Sequence, residues 1–220
     1  MTKLCIFDLD GTLIDSLQDL ANAMNHALQK NGFPVHPHEK YRQMVGSGIS
    51  VLADRAVKNS TLPYDETIKS AILSDFSACY TDHCMDNTRP YEKIPQMLYT
   101  LRENGILCAV NSNKPDAFAK KIVRTLFPDA PFSEVFGKRD GFERKPSPDG
   151  AQSIMELLSC QKEECVYIGD SDVDVQTARN AGIAFCGVSW GFRSREELQK
   201  EGATFIADDP DDIIRYVMSR

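Results

Sequence analysis

Phe7-Asp8-Leu9-Asp10-Gly11-Thr12-Leu13 is the stretch on which the reading of this chain turns. It closes the run Lys3-Leu4-Cys5-Ile6-Phe7, whose apolar and β-branched side chains suit a strand buried on both faces. Two acids follow at once. Carboxylates at the end of buried apolar backbone are costly unless a cation holds them or chemistry uses them. A two-residue repeat points both acids the same way, so a hard, oxygen-seeking cation fits between Asp8 and Asp10. Gly11 allows a sharp turn that exposes backbone N–H groups to an anion. Taken alone, Asp-x-Asp-Gly also reads as an acidic turn after a strand.

Outward from this stretch the chain changes character twice. Leu17, Leu20, Ala21, Met24, Ala27 and Leu28 recur at helical spacing, with Asp15 or Ser16 as cap and Asn31-Gly32 as stop. A Gly46-Ser47-Gly48 turn leads to a helical pattern through Val51, Leu52 and Ala56, and a further helix is expected from Asp65 to Tyr80. No strand pattern interrupts residues 17–83, so 15–84 reads as an all-helical insert.

After Pro90 helices alternate with short apolar strands. The strand candidates are Ile106 to Val110, Val135-Phe136, Cys165 to Ile168, Ile183 to Val188 and Thr204 to Ile206. Helices are expected around Ile94 to Leu101, Phe118 to Leu126, Ala151 to Leu158, Val173 to Ala181 and Arg195 to Lys200, with a last one from Asp211. This alternation predicts an α/β fold: a Rossmann-like, doubly wound parallel sheet formed by 1–14 and 85–220, interrupted by the helical insert. In such a sheet ligands sit beyond the carboxyl ends of the strands. There the chain places Asp8-x-Asp10, Asn111-Ser112-Asn113-Lys114 and Gly169-Asp170-Ser171-Asp172-Val173-Asp174, while a loop carries Lys145-Pro146-Ser147-Pro148.

Bulk properties narrow the function. A net charge of −7 disfavours nucleic acid and anionic membranes as partners, so an anionic substrate needs local positive groups or a metal. The seven cysteines form no Cys-x-x-Cys pair, which points away from a zinc site and a disulfide framework. The amino terminus runs straight into the first strand, and no apolar run approaches a membrane span; a cytoplasmic location is the expectation.

Asp8-Leu9-Asp10-Gly11-Thr12-Leu13 resembles the first motif of the haloacid dehalogenase superfamily, and Ser112, Lys145 and Asp170 with Asp174 fall where its three further motifs belong. The resemblance implies a Mg²⁺-dependent phosphatase of small phosphate esters. It makes Asp8 the nucleophile that becomes an aspartyl phosphate and Asp10 the acid/base. Ser112 and the backbone N–H of Asn113 would bind the transferring phosphoryl group, with Thr12 also on the substrate side, and Lys145 would balance charge. Mg²⁺ would sit among Asp8, the backbone carbonyl of Asp10, Asp170 and, as a further candidate, Asp174; an all-oxygen set suits it. The helical insert resembles the cap of one superfamily branch. Within it, Arg42-x-x-Val45-Gly46-Ser47-Gly48 followed by Arg55-Ala56 is similar to the pattern of phosphoglycolate phosphatases, as are 187–192 and 195–198. That similarity makes Gly46, Ser47, Gly48 and Arg55 candidate contacts for a substrate carboxylate.

Each residue also has a plain structural reading. Lys145 fits a solvated loop lysine, Ser112 and Asn113 fit turn residues, and Asp170 and Asp174 fit helix caps, as does Asp172. Gly46 to Gly48 with Arg55 fit an interhelical turn beside an exposed arginine, and His26 and His36 read as surface residues. Because Asp10 supplies an acid/base, a dehalogenase is disfavoured. A sugar-phosphate mutase, a pyrophosphatase and a non-catalytic phosphometabolite-binding protein on the same core are the alternatives.

Overall fold

A computed structural model describes residues 1–129 and 132–220. The chain divides into two compact units, Met1–Asp15 with Pro90–Arg220 and Ser16–Arg89.

The first unit is built on six parallel strands: β1 (Leu4–Phe7), β2 (Leu107–Pro115), β3 (Phe132–Lys138), β4 (Cys165–Gly169), β5 (Ala184–Val188) and β6 (Ile206–Ala207). They lie in the order β3-β2-β1-β4-β5-β6. Every residue of β1 is fully buried because it pairs on both sides, Phe7 with Val110 of β2 and with Ile168 of β4. Sequence direction along the sheet reverses between β1 and β4, and the crevice at such a switch point is where an open α/β sheet receives its ligand. Helices flank the sheet as in a doubly wound α/β core. Leu4, Ile6, Ala109 and Tyr167 meet Ala151, Ile154 and Met155 of one helix (Asp149–Leu157) and Ala178 and Ala181 of another (Asp172–Ala181) in one apolar cluster. The helix Ile94–Glu103 packs on β2, with the helix Pro210–Met218 packed on it in turn.

β3 is longer than the Val135-Phe136 pair legible in the sequence, and β2 runs on to Pro115 instead of ending before Asn111. The two changes are one: the register between β2 and β3 slips between Asn111 and Pro115, so the strands re-pair at Pro115 and Lys138. The last strand is Ile206–Ala207 rather than 204–206, because Phe205 uses its carbonyl to accept from Gly187 N just before it.

The second unit is built of α-helices at Leu17–Lys30, His38–Tyr41, Ile49–Val57 and Glu66–His83, and its last residue begins the two-residue strand Arg89–Pro90. The first and last pack together, burying Leu20, Met24 and Leu28 of one and Ile72, Phe76 and Tyr80 of the other. Ser16 occupies the cap position of the first helix without a side-chain capping bond, whereas Asp65 caps the last through Ile68 N at 2.9 Å. The unit ends at Arg89, beyond the 84 expected, because Asn87 and Thr88 are tied to Asp19. Asp19 is 3% exposed and accepts from both backbone N–H groups, from Asn87 Nδ2 at 2.8 Å and from Thr88 Oγ1 at 2.7 Å. His26 is exposed as expected, but His36 is half-buried, its Nε2 2.6 Å from the Ala56 carbonyl oxygen. No helix among the described residues is long and apolar enough to cross a membrane.

Candidate active site

Asp8 follows β1, Asp170 follows β4, and Asp174 lies in the first turn of the helix Asp172–Ala181, so the switch-point crevice collects three carboxylates. All three are buried, and each offers an oxygen within 4.8 Å of the others. Lys145 enters from its loop, its Nζ 2.8 Å from Asp8 Oδ1 and 2.7 Å from Asp174 Oδ1. Asn113 holds that loop to β2: its amide accepts from Lys145 N at 2.8 Å and donates to the Lys145 carbonyl at 3.1 Å. The Asn113 side chain is therefore committed to the scaffold, leaving only its backbone for the substrate role expected of it. Lys145 is 4% exposed, so the reading of a solvated lysine falls.

Asp170 is fixed by donors. Thr12 Oγ1 gives it a bond of 3.1 Å and Phe192 N one of 2.7 Å. A Cβ on Gly191 would lie 2.2 Å from the Asp170 Cβ, and one on Gly11, whose φ is +89°, would lie 2.4 Å from its Oδ2. Thr12 thus acts on Asp170, a partner the sequence did not disclose. Asp174 accepts from Ser171 Oγ at 2.5 Å and Ser171 N at 3.1 Å. Ser171, rather than Asp172, is the helix cap, while Asp172 lies 3.3 Å from Nε of the buried Arg193. Ser112, also buried, accepts from Lys114 N at 3.2 Å.

Asp10, two residues on from Asp8, faces a second lysine: Lys114 Nζ lies 2.9 Å from both of its carboxylate oxygens. β1 stops at Phe7 and the chain then coils, with Thr12, Leu13 and Ile14 all donating to the Leu9 carbonyl. The sequence assigns Lys114 no role, since it follows the polar run Asn111-Ser112-Asn113; only its burial, 5% exposed, shows an ammonium that needs a carboxylate.

Electrostatics follow from burial. Burial, reinforced by the Asp174 charge, pushes the Asp8 carboxyl well up despite Lys145. Burial and Asp174 likewise raise Asp170 to about 7, against the bonds from Phe192 and Thr12. Burial alone would lower the Lys145 ammonium, but the carboxylates of Asp174 and Asp8 outweigh it and raise it well above the lysine range. Lys145 answers Asp8 and Asp174 while the Arg193 charge acts on Asp170, and the crowded all-oxygen donor set fits a hard divalent cation such as Mg²⁺.

In the helical unit, Gly46 and Gly48 take positive φ values of 114° and 89°. Arg55 folds back on that turn, donating to the Met44 carbonyl at 2.7 Å and to Ser47 Oγ at 3.1 Å. Gly46, Ser47, Gly48 and Arg55 therefore form one local assembly.

The fold and this convergence of strand ends define a phosphoryl-handling hydrolase on a doubly wound core. The chain belongs to the haloacid dehalogenase-like hydrolase family, whose model matches residues 5–188. It is 32% identical to a phosphoglycolate phosphatase of Vibrio parahaemolyticus, across 98% of this chain and 96% of that one. It is also 32% identical to a phosphoglycolate phosphatase of Rhodospirillum rubrum, across 95% and 88%. A crystal structure from Lactobacillus delbrueckii subsp. bulgaricus superposes with a TM-score of 0.93 at 35% identity, covering 99% of each chain. The protein is a phosphoric monoester hydrolase.

Proposed function

We propose that this hydrolase is a Mg²⁺-dependent phosphatase of a small phosphorylated metabolite, with 2-phosphoglycolate first among the candidates. The observation that carries the reading is the meeting of Asp8, Asp170, Asp174 and Lys145 at the switch point of the sheet. Asp8 attacks phosphorus through its carboxylate and becomes an aspartyl phosphate, which water then hydrolyses. Asp10 protonates the departing alkoxide and afterwards takes the proton of that water. Lys145, the Ser112 hydroxyl and the Asn113 backbone N–H offset the charge of the transferring group. Asp8, Asp170 and Asp174, with the backbone carbonyl of Asp10, would hold Mg²⁺. The cation would supply charge neutralisation to the phosphoryl oxygens and to the crowded carboxylates. Thr12 serves by fixing Asp170.

For the substrate's remainder, the turn Gly46-Ser47-Gly48 and Arg55 in the helical unit are the proposed carboxylate-recognising group, the unit acting as a cap. The names carried by the similar Vibrio and Rhodospirillum proteins support a phosphoglycolate substrate. All seven cysteines are free, in keeping with a reducing, cytoplasmic location.

Release of inorganic phosphate from 2-phosphoglycolate, pyrophosphate, β-glucose 1-phosphate and an aryl phosphate, with and without Mg²⁺, tests the reading. Asp8→Asn should abolish turnover while leaving the melting profile intact. Undiminished rates in that variant would overturn the nucleophile. Isomerisation of β-glucose 1-phosphate without phosphate release would make the enzyme a mutase instead.

A further inference from the structure

We propose that Lys114 is the positioning residue for Asp10. Its side chain is 3% exposed and that of Asp10 12%, so the ammonium is enclosed while the carboxylate keeps an open edge. Both Asp10 oxygens lie 2.9 Å from Lys114 Nζ, and a two-point hold fixes the plane of a carboxylate as one contact does not. Lys114 reaches Asp10 from the adjoining strand: β2 pairs with β1 in register, and Asp10 lies three residues beyond the Phe7 end of that ladder.

The two buried lysines of the site divide the acids between them. Lys145 spans Asp8 and Asp174 of the three-carboxylate cluster, whereas Lys114 takes both oxygens of Asp10. Asp10 cannot turn away from Lys114 without leaving a buried ammonium behind. A proton-transferring group must stay within hydrogen-bond reach of its target, and displacement by about 1 Å can cost roughly a hundredfold in rate. Lys114 thus serves catalysis without touching substrate.

The inference rests on the acid–base role proposed for Asp10, and its test separates the two. Hydrolysis of p-nitrophenyl phosphate with Mg²⁺ is measured for the wild type, K114M, D10N and K114M/D10N, alongside thermal melts. K114M should lower kcat by about ten- to a hundredfold, a part of the roughly 10²- to 10⁴-fold that acid–base catalysis supplies, with KM within about threefold. Placed on D10N, the same substitution should change kcat by less than about threefold, since residues acting as a unit are non-additive. K114R should recover much of the loss.

Equal losses in both backgrounds, or a raised KM with kcat unchanged, would overturn the inference alone and make Lys114 a substrate contact or a purely structural group. Full turnover by D10N would remove the acid–base reading and this inference with it. Should K114M fail to fold, K114R carries the test through the same comparison: a several-fold loss that vanishes in K114R/D10N supports the inference, and an equal loss in both overturns it.

Discussion

Raising the pH should destabilise the metal-free protein across the neutral range, and Mg²⁺ should reverse the effect. Asp170 is 1% exposed and lies beside Asp174, and its carboxyl is pushed to about 7. In the unfolded chain the same group titrates near an ordinary carboxylate value. Above the ordinary carboxylate range the folded form keeps a proton that the unfolded form has lost, so the contribution is fully present only below that range, falls as pH climbs, and is gone once pH has passed through about 7. At 1.36 kcal/mol per tenfold change, the gap sets an upper bound of about 4 kcal/mol, and Asp8, raised for the same reason, acts in the same direction. Lys145 is also raised, but its contribution is lost only above the lysine range, outside this window.

A divalent cation would favour the ionised carboxylates and compete with their protons, so its stabilising effect should grow with pH. For a chain of this size, each kcal/mol moves Tm by about 2–4 °C. Melting in chelator and in excess Mg²⁺, at about pH 5.5 and about pH 8, should show a metal-free Tm that falls by several degrees with pH. The Mg²⁺-induced rise should be larger at the higher pH, and Asp170→Asn should suppress both effects. A Mg²⁺ shift of the same size at both pH values, or one that survives Asp170→Asn, would refute the reasoning.

Asp19→Ala should cost about 3 kcal/mol, because four donors from Asn87 and Thr88 lose their buried acceptor; urea unfolding of the variant measures it. Burial works to raise the Asp19 carboxyl, but the bonds from Asn87 and Thr88 prevail and hold it below the ordinary range. Its stabilisation is present at neutral pH and lost as acid protonates it through that lowered value. The gap in Tm between wild type and Asp19→Asn should therefore narrow in acid titrations. Gly191→Ala should weaken Mg²⁺ binding without removing a ligand, since the new methyl would lie 2.2 Å from the Asp170 Cβ and push that residue aside. A smaller Mg²⁺-induced Tm shift at a fixed Mg²⁺ concentration, with phosphatase activity recovering at higher Mg²⁺, checks it.

Much of this architecture was legible because it rests on local signals. The apolar run Leu4 to Phe7 marks a strand buried on both faces, and the acids after it mark a strand end whose charge needs a use. The helices announced themselves by spacing, as in Leu20, Met24, Ala27 and Leu28. What escaped was set by contacts distant in sequence. The helical unit extends to Arg89 because Asn87 and Thr88 answer a carboxylate 68 and 69 residues earlier. β3 extends over Gly137-Lys138, which carry no strand signal, because β2 continues beside them.

The acids themselves mark where local reasoning ends. Asp8 and Asp10 are the same residue type two positions apart, yet one belongs to a buried three-carboxylate cluster and the other to a lysine on the next strand. Period-two geometry holds only while a strand lasts, and the coil closed on the Leu9 carbonyl lies beyond it. From there the fate of a carboxylate depends on which cation the fold delivers. Lys145 comes from a loop tied down by the Asn113 side chain, and Lys114 from the end of β2. Two acids with different partners can take different parts in one reaction, since environment decides whether a carboxylate attacks or transfers protons. If Lys114→Met left Asp10 fully competent, that division would have to arise from the backbone coil alone.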